Sequence, residues 1–410
     1  MPPPARLLDL TRLVSRLGKG QATGVDRVEA AYLARLLAMD ASSFGLIRTK
    51  IGHILLDRAG MAGVQALLSG HPLPRADLLS RLLRRRDPLL ARAETAARQL
   101  ALARARALSP LLRRHLPAGF SYLNTGHANL GAATLCAVTQ AGGRSAVLIH
   151  DTIPLDHPEY TRADTIPVFA TKLAATAAHA DLVIHSATAT RAQTESHLAR
   201  LGRIPPGVTA HLGLPPLHPA STPPQTHPYF IALGTIEPRK NHAFLLDLWE
   251  ELATRLPAAD MPHLMIIGRR GWADPALLAR LDSHPLRNIC IFERPNLPDD
   301  QLATYLAHAR ALLFPSHVEG FGLPPLEAAS LGVAVIMPPL PIYRETLGDY
   351  PVYAALEDSY SWLETIIRLK DGIQGQAGRG QAGRGRGTRG TQAVTLPQWS
   401  DHFNTVLSLA

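Results

Sequence analysis

Cysteine is almost absent from this chain. Cys136 and Cys290 are the only two, too few for a disulfide framework or a cysteine-based metal site, and they suit a reducing compartment. Lysine is nearly as scarce, five of the 42 basic residues, the other 37 being arginine. Nowhere does an apolar run reach the ~18–20 residues needed to span a bilayer. The opening Met1-Pro2-Pro3-Pro4-Ala5-Arg6 runs into Asp9 and Arg12, not into the apolar core of a secretory leader. There is also no Asp-x-Asp pair of the kind that metal-dependent transferases use. These absences point to a cytoplasmic protein, soluble or peripheral on the inner face of the membrane.

What is present is core material. Hydrophobic residues make up 46% and charged ones 18% of 410 residues, which excludes a disordered chain and favours two domains of roughly 200 residues. The net charge of +9 favours anionic partners: phosphates, nucleic acid or an acidic membrane face.

The second half alternates short apolar runs with amphipathic helices. Tyr229–Gly234, His263–Gly268, Asn288–Glu293, Ala311–Ser316 and Ala334–Met337 read as strands, and Asn241–Leu256, Pro275–Leu281, Asp299–Ala309 and Pro325–Leu331 as helices. That rhythm predicts a buried parallel sheet, whose ligands bind at the carboxyl ends of the strands. The first half is looser, with strands expected at Arg6–Leu10, Phe44–Arg48, Phe120–Asn124, Ser145–His150 and Asp181–His185, and a helix at Val25–Met39. Eight prolines between Pro205 and Pro228 read as a linker. The expected division is therefore 1–204, linker 205–228, 229–395, and a terminal helix 396–410. The fold class is α/β, two Rossmann-like doubly wound domains facing each other across a cleft.

Two segments break the rhythm. Residues 75–114 carry eleven arginines against Asp77, Asp87 and Glu94, with leucines at roughly helical spacing. Either the leucines pack as core under solvated arginines, or the segment meets an anionic membrane surface. Residues 371–390 are Gly/Arg-rich, with eight glycines, and read as a flexible insertion. Arg-Gly segments also bind RNA, but no RNA-binding module accompanies this one, so nucleic acid is disfavoured as a partner.

Two loops carry the chemistry. In His317-Val318-Glu319-Gly320-Phe321-Gly322-Leu323, glycines permit a tight turn before a helix that runs on through Glu327. The helix N-terminus offers unpaired N–H donors to phosphate or sugar oxygens, and a carboxylate suits a vicinal diol. A turn followed by an ordinary N-terminal helix charge would look the same. In Gly234-Thr235-Ile236-Glu237-Pro238-Arg239-Lys240-Asn241, adjacent cations at a strand end can neutralise a diphosphate; such a pair is otherwise a solvated surface.

Together these residues resemble the signature of retaining glycosyltransferases of family 4, which have the GT-B fold. Glu319 and Glu327 with Glu-Gly-Phe-Gly-Leu-Pro between them, after Phe314-Pro315-Ser316, carry the resemblance. So do the Gly234–Asn241 loop, Thr23-Gly24-Val25-Asp26-Arg27, and His150-Asp151-Thr152-Ile153-Pro154 with Ser186 after the next strand. It covers nearly the whole chain apart from the Arg-rich and Gly-rich segments. The resemblance implies that Arg239 and Lys240 hold the diphosphate of a nucleotide-sugar donor and that Glu327 binds its ribose. Glu319, with the amides of Gly320, Phe321, Gly322 and Leu323, would hold the transferred sugar, and His150 would contact that sugar. Gly24, Asp151 and Ser186 would lie on the acceptor side; His127, ending an expected strand toward the same cleft, is a further acceptor candidate by position, although such a histidine is more often structural. Many relatives place Arg after the loop's first glycine, where this chain has Thr235, so the phosphate charge rests on Arg239 and Lys240.

The implied activity is hexosyl transfer with retention, from a nucleotide-diphosphate sugar to a glycan or lipid-linked acceptor, in exopolysaccharide, capsule or lipopolysaccharide synthesis. No metal and no cofactor is required; Asp156 and His157 near His150 lack metal-site spacing. A GT-B fold also serves nucleotide-sugar epimerases, and a non-catalytic nucleotide-sugar-binding or RNA-binding protein is the other alternative.

Overall fold

The computed structural model describes residues 5–20, 22–371 and 395–410. The chain divides into two α/β units. One holds the chain up to Leu155, Ala163–Leu212 and Trp399–Ala410; the other holds Asp156–Arg162 and the chain from Gly213 to Gln398.

The first unit is built on an eight-stranded sheet. Its strands are β1 (Ala5–Asp9), β2 (Ser42–Thr49), β3 (Gly52–Leu56), β4 (Ala103–Ala105), β5 (Ser121–Asn124), β6 (Arg144–Ile149), β7 (Leu182–His185) and β8 (Gly207–Thr209). Their order is β4-β3-β2-β1-β5-β6-β7-β8, parallel except for the antiparallel β2–β3 and β3–β4 pairs. The expected strands appear here within a residue or two. The β2–β3 hairpin was not expected, because Thr49-Lys50-Ile51-Gly52 lacks an Asn-Gly type of turn signal.

The second unit holds β9 (Tyr229–Leu233), β10 (His263–Ile267), β11 (Ile291–Arg294), β12 (Ala311–Leu313), β13 (Ala334–Met337) and β14 (Val352–Tyr353), in the order β11-β10-β9-β12-β13-β14. Every pair in it is parallel. The central strands are continuous apolar runs because helices cover both faces. The helix His242–Arg255 buries Leu245, Leu248, Trp249 and Leu252 at helical spacing. The Trp249 indole N–H donates to the Pro262 carbonyl at 2.9 Å, so its polar edge is satisfied.

Three boundaries differ from the sequence reading. The Pro-rich stretch 205–228 contributes β8, whose neighbour Pro206 accepts from Val183 N–H at 2.8 Å; proline is tolerated at a sheet edge. The division falls between Leu212 and Gly213. The helix Trp399–Leu409 belongs to the first unit, not to a separate appendage. It is tied there by Arg6 donating to the Leu407 carbonyl at 2.9 Å and by Tyr32 Oη lying 2.8 Å from His402 Nε2.

The Arg-rich segment forms three helices, Leu78–Leu83, Pro88–Gln99 and Leu108–His115, with β4 between the last two. Leu108, Leu111 and Leu112 are core, whereas Leu78, Leu79, Leu82, Leu89 and Leu102 are exposed. Apart from Asp371, the Gly/Arg-rich stretch 371–390 lies outside the described residues.

Candidate functional site

In the second sheet, strands taken in chain order lie 3-2-1-4-5-6, so the direction of winding reverses between β9 and β12. The loops leaving two such strands diverge to opposite faces and open a crevice, which is where ligands bind in open α/β sheets. The loop after β9 is Gly234–Asn241 and the loop after β12 is Phe314–Gly322. Both chemically loaded loops therefore sit at the reversal point of the sheet.

Their side chains meet. Lys240 Nζ lies 2.5 Å from Glu319 Oε1, and Arg239 Nη1 lies 2.7 Å from Glu319 Oε2. Arg239 Nε also donates to Glu237 Oε1 at 2.6 Å, and the His317 amide donates to the Arg239 carbonyl at 2.8 Å, stitching the loops together. Lys240 is 8% exposed and lies over the Phe314 ring, 4.2 Å from its centroid. Burial alone would raise the carboxyl pKa of Glu319, but Arg239 and Lys240 outweigh it and hold it at about 2. Burial lowers the Lys240 pKa, and Arg239 adds to this while Glu319 opposes it. The site is thus a buried ion cluster at the sheet's reversal point.

Local backbone makes this possible. Asn241 takes a left-handed conformation, φ 53°, to end the Pro238–Lys240 turn and start the next helix. Gly322 at φ 83° caps the helix Leu323–Ser330, and a Cβ there would sit 2.8 Å from the Tyr343 ring. Phe321 is buried, and Gly320, Gly322 and Leu323 lead into the helix N-terminus. Glu327 lies within that helix at 3% exposure. The sequence reading missed Glu237 and Tyr343; the first stands two residues before Arg239, while no local signal marks Tyr343, which arrives from a helix beyond β13.

The first sheet reverses in the same way, between β1 and β5. At the end of β1, buried Asp9 accepts from Tyr122 Oη and Asn129 Nδ2, each at 2.9 Å. Beyond β5, His127 sits at φ 60°, its amide donating to Asn124 Oδ1 at 3.0 Å. His150, just past β6, places Nε2 2.7 Å from the Thr125 carbonyl. The two imidazoles lie 5.3 Å apart between centroids. Burial, and for His127 also the charge of His150, lowers their pKa values to about 3 and about 4, so both are neutral near pH 7.

Asp151 accepts from the Ile153 amide at 3.1 Å. Ile149 pairs with His185, so the β6–β7 register sets buried Ser186 level with His150. Gly24 opens the helix Gly24–Ala38 behind a Thr23/Asp26 capping box, with Arg12 Nε donating to Asp26 Oδ1 at 2.7 Å. Glu29 of that helix is fully buried, 3.9 Å from Arg12, and its carboxyl packs on Gly126 so closely that a Cβ there would lie 2.4 Å away. Asp9, Arg12 and Glu29 were not among the expected site residues. Thr23-x-x-Asp26 is a readable capping signal, but nothing in the sequence joins Glu29 to a loop a hundred residues on.

Both units are thus doubly wound α/β bodies whose chemical side chains gather at the sheet reversal points. Residues 216–372 match the family described as glycosyl transferases group 1. It is 32% identical over 231 residues to the serotype-specific mannosyltransferase WbdA of Escherichia coli, covering 52% of this chain and 28% of that protein. It is 31% identical over 232 residues to the O-antigen chain mannosyltransferase B of Escherichia coli, covering 52% of this chain and 58% of that protein. The chain thus spans less than two thirds of either relative. Among solved structures, the Anabaena Alr3699/HepE complex with UDP and glucose matches with a TM-score of 0.56 at 14% identity, covering 90% of both chains. A trehalose-6-phosphate synthase matches with a TM-score of 0.54 at 11% identity, covering 89% of this chain and 90% of that one.

Proposed function

We propose that the chain transfers a hexosyl group, mannose foremost, from a nucleotide-diphosphate sugar to a glycan or lipid-linked acceptor, with retention and without a metal. The observation that carries this reading is the meeting of Arg239, Lys240 and Glu319 beside the N-terminus of the helix Leu323–Ser330, at the reversal point of the second sheet. Mannose is favoured because the relatives are described as mannosyltransferases of O-antigen chains, which also suggests lipopolysaccharide-type products and cytoplasmic work.

Breaking a sugar–diphosphate bond develops negative charge on the leaving oxygen. Arg239, Lys240 and the helix amides are fixed in position to stabilise that charge, so the stabilisation needs little reorganisation. Supplying this charge from side chains removes the requirement for a metal. Glu319, held ionised, accepts hydrogen bonds from sugar hydroxyls. Glu327, in the first turns of the same helix, is the ribose ligand. His150, held neutral with its Nε2–H donating to the Thr125 carbonyl, offers Nδ1 as a hydrogen-bond acceptor for a sugar hydroxyl without adding charge. Gly24, His127, Asp151 and Ser186 line the acceptor side. The β-phosphate takes the proton of the attacking acceptor hydroxyl.

The deciding experiment is a binding and hydrolysis screen of GDP-mannose against UDP- and ADP-sugars, with and without EDTA. Release of free sugar from one donor, unchanged by chelator, is the expected outcome. A strict requirement for added divalent metal would overturn the metal-free mechanism. Absence of binding to every donor would overturn the transferase reading in favour of another role for the fold.

A further inference from the structure

The helix Leu78–Leu83 is inside out. A helix on a globular surface ordinarily buries its apolar stripe and shows its polar one. Here Ser80 is fully buried, while Leu78 is 82%, Leu82 59% and Leu79 42% exposed. The inversion is held in place by polar contacts. Asp77 caps the helix through the Ser80 amide at 2.7 Å. Thr95 Oγ1 donates to Ser80 Oγ at 3.0 Å, and Arg98 closes on Asp77 at 2.8 Å. These contacts fix which face of the helix turns inward, so the leucines stand outward by construction.

The charge around them is one-sided. Each of the three acids nearby is already matched: Asp77 by Arg98, Asp87 by Lys19 at 2.6 Å, and Glu94 by Arg84 at 2.6 Å. Arg75, Arg81, Arg85 and Arg86 are exposed and make no ion pair among the described residues. An apolar centre with an unmatched basic rim is the chemistry of a surface that enters the headgroup region of an anionic bilayer, leucines inward and guanidinium groups on lipid phosphates.

We infer that the helix Leu78–Leu83 and the turn that follows it dock the first unit on an anionic lipid bilayer. Leucines fix the depth and arginines supply the selectivity for acidic lipid. Lipid-linked acceptors would then be met where they lie, so the biological purpose rests on the transferase reading, although the docking itself does not.

The test floats the full chain with vesicles of phosphatidylcholine alone or mixed with phosphatidylglycerol, at low and high salt, with no sugar donor present. Its failure and the failure of the transferase reading are therefore separate events. The parent should float only with the acidic vesicles and be released by salt. Arg81→Gln/Arg85→Gln/Arg86→Gln should lower the partition coefficient by about a hundredfold, at roughly fivefold per base. Leu78→Ser/Leu79→Ser/Leu82→Ser should lose flotation too, with an unchanged thermal midpoint because those side chains support no core. Arg84 is left alone, since its ion pair to Glu94 supports the fold. No flotation of the parent at low salt overturns the proposal. So does flotation indifferent to the leucines, or loss of the leucines altering self-association and not lipid binding, which would assign the patch to a protein contact.

Discussion

Lys240 and Glu319 stand 79 residues apart in the chain and 2.5 Å apart in the fold, one from each of the two loops that leave the reversal point of the second sheet. The same contact does two things. It neutralises two charges that neither loop could bury alone, and it holds side by side the ammonium and the carboxylate proposed to receive a sugar diphosphate.

That double role separates under mutation. Lys240→Met leaves Glu319 buried with Arg239 alone and should cost about 3 kcal/mol, the low end for a buried pair losing one partner. Lys240→Met/Glu319→Gln should recover most of that loss in a denaturant titration, since no unmatched charge remains. Donor affinity should stay down roughly tenfold or more in both variants, the value of a charge-assisted contact. Recovery of donor binding along with stability would show that the pair is scaffold.

The paired histidines of the first unit predict an acid response. Their pKa values in the fold, about 3 for His127 and about 4 for His150, lie below the ordinary 6.5. Between those values the unfolded chain binds more protons than the folded one, so stability rises with pH. It should therefore be level above about 6.5 from these groups and fall as the pH drops toward the folded values. His127→Asn retains a residue type that tolerates φ 60° and should flatten part of that fall. A thermal midpoint equally acid-sensitive in parent and variant would remove His127 from the account.

Much of this was readable before the fold was known, and the limits are physical. Continuous apolar runs such as Tyr229–Leu233 mark buried strands, and glycines beside charged residues mark the loops at their ends. The strand order is not local information, and neither is its consequence that the β9 and β12 loops are neighbours. The sequence could place Arg239, Lys240 and Glu319 on loops but not in contact. Tyr343 and Glu29 act through residues far along the chain and leave no spacing to read. The leucines between 75 and 114 illustrate the same limit: the helical period is alike for Leu111, which is core, and Leu78, which is not.

Burial of Glu29, with Asp9 nearby adding repulsion and Arg12 only partly opposing it, pushes its carboxyl pKa well above the ordinary range. The folded chain then holds a proton that the unfolded chain releases, so this group's stability is intact in acid and is lost as the pH rises through its folded pKa. Glu29→Gln, uncharged and similar in shape, should escape that loss. Its thermal midpoint should be level with the parent near pH 5 and higher at pH 8 by about 2–4 °C, which is what ~1 kcal/mol gives in a unit of this size. A variant that melts lower at both pH values would show that Arg12 and an ionised Glu29 form a stabilising pair.

Two glycines set the position of the Lys240 loop. Gly268, after β10, has φ 154°, and a Cβ there would lie 1.9 Å from the Gly234 carbonyl oxygen. That neighbour is backbone and is held by the Gly234 amide bonding to the Ile267 carbonyl at 3.0 Å, so it cannot swing aside. At Gly234, φ 140°, the new Cβ would instead meet Lys240 Cε at 3.3 Å, the movable end of a side chain. Both alanines strain the backbone, but only one collides with it. Gly268→Ala should cost about 3 kcal/mol, the upper end for overpacking, and should weaken nucleotide-sugar binding by displacing the loop. Gly234→Ala should cost less stability yet still disturb binding, because its contact is with Lys240, the proposed phosphate ligand. Denaturant titration and donor binding on the two variants check the order. If Gly234→Ala proves the more destabilising, the steric argument for this loop fails.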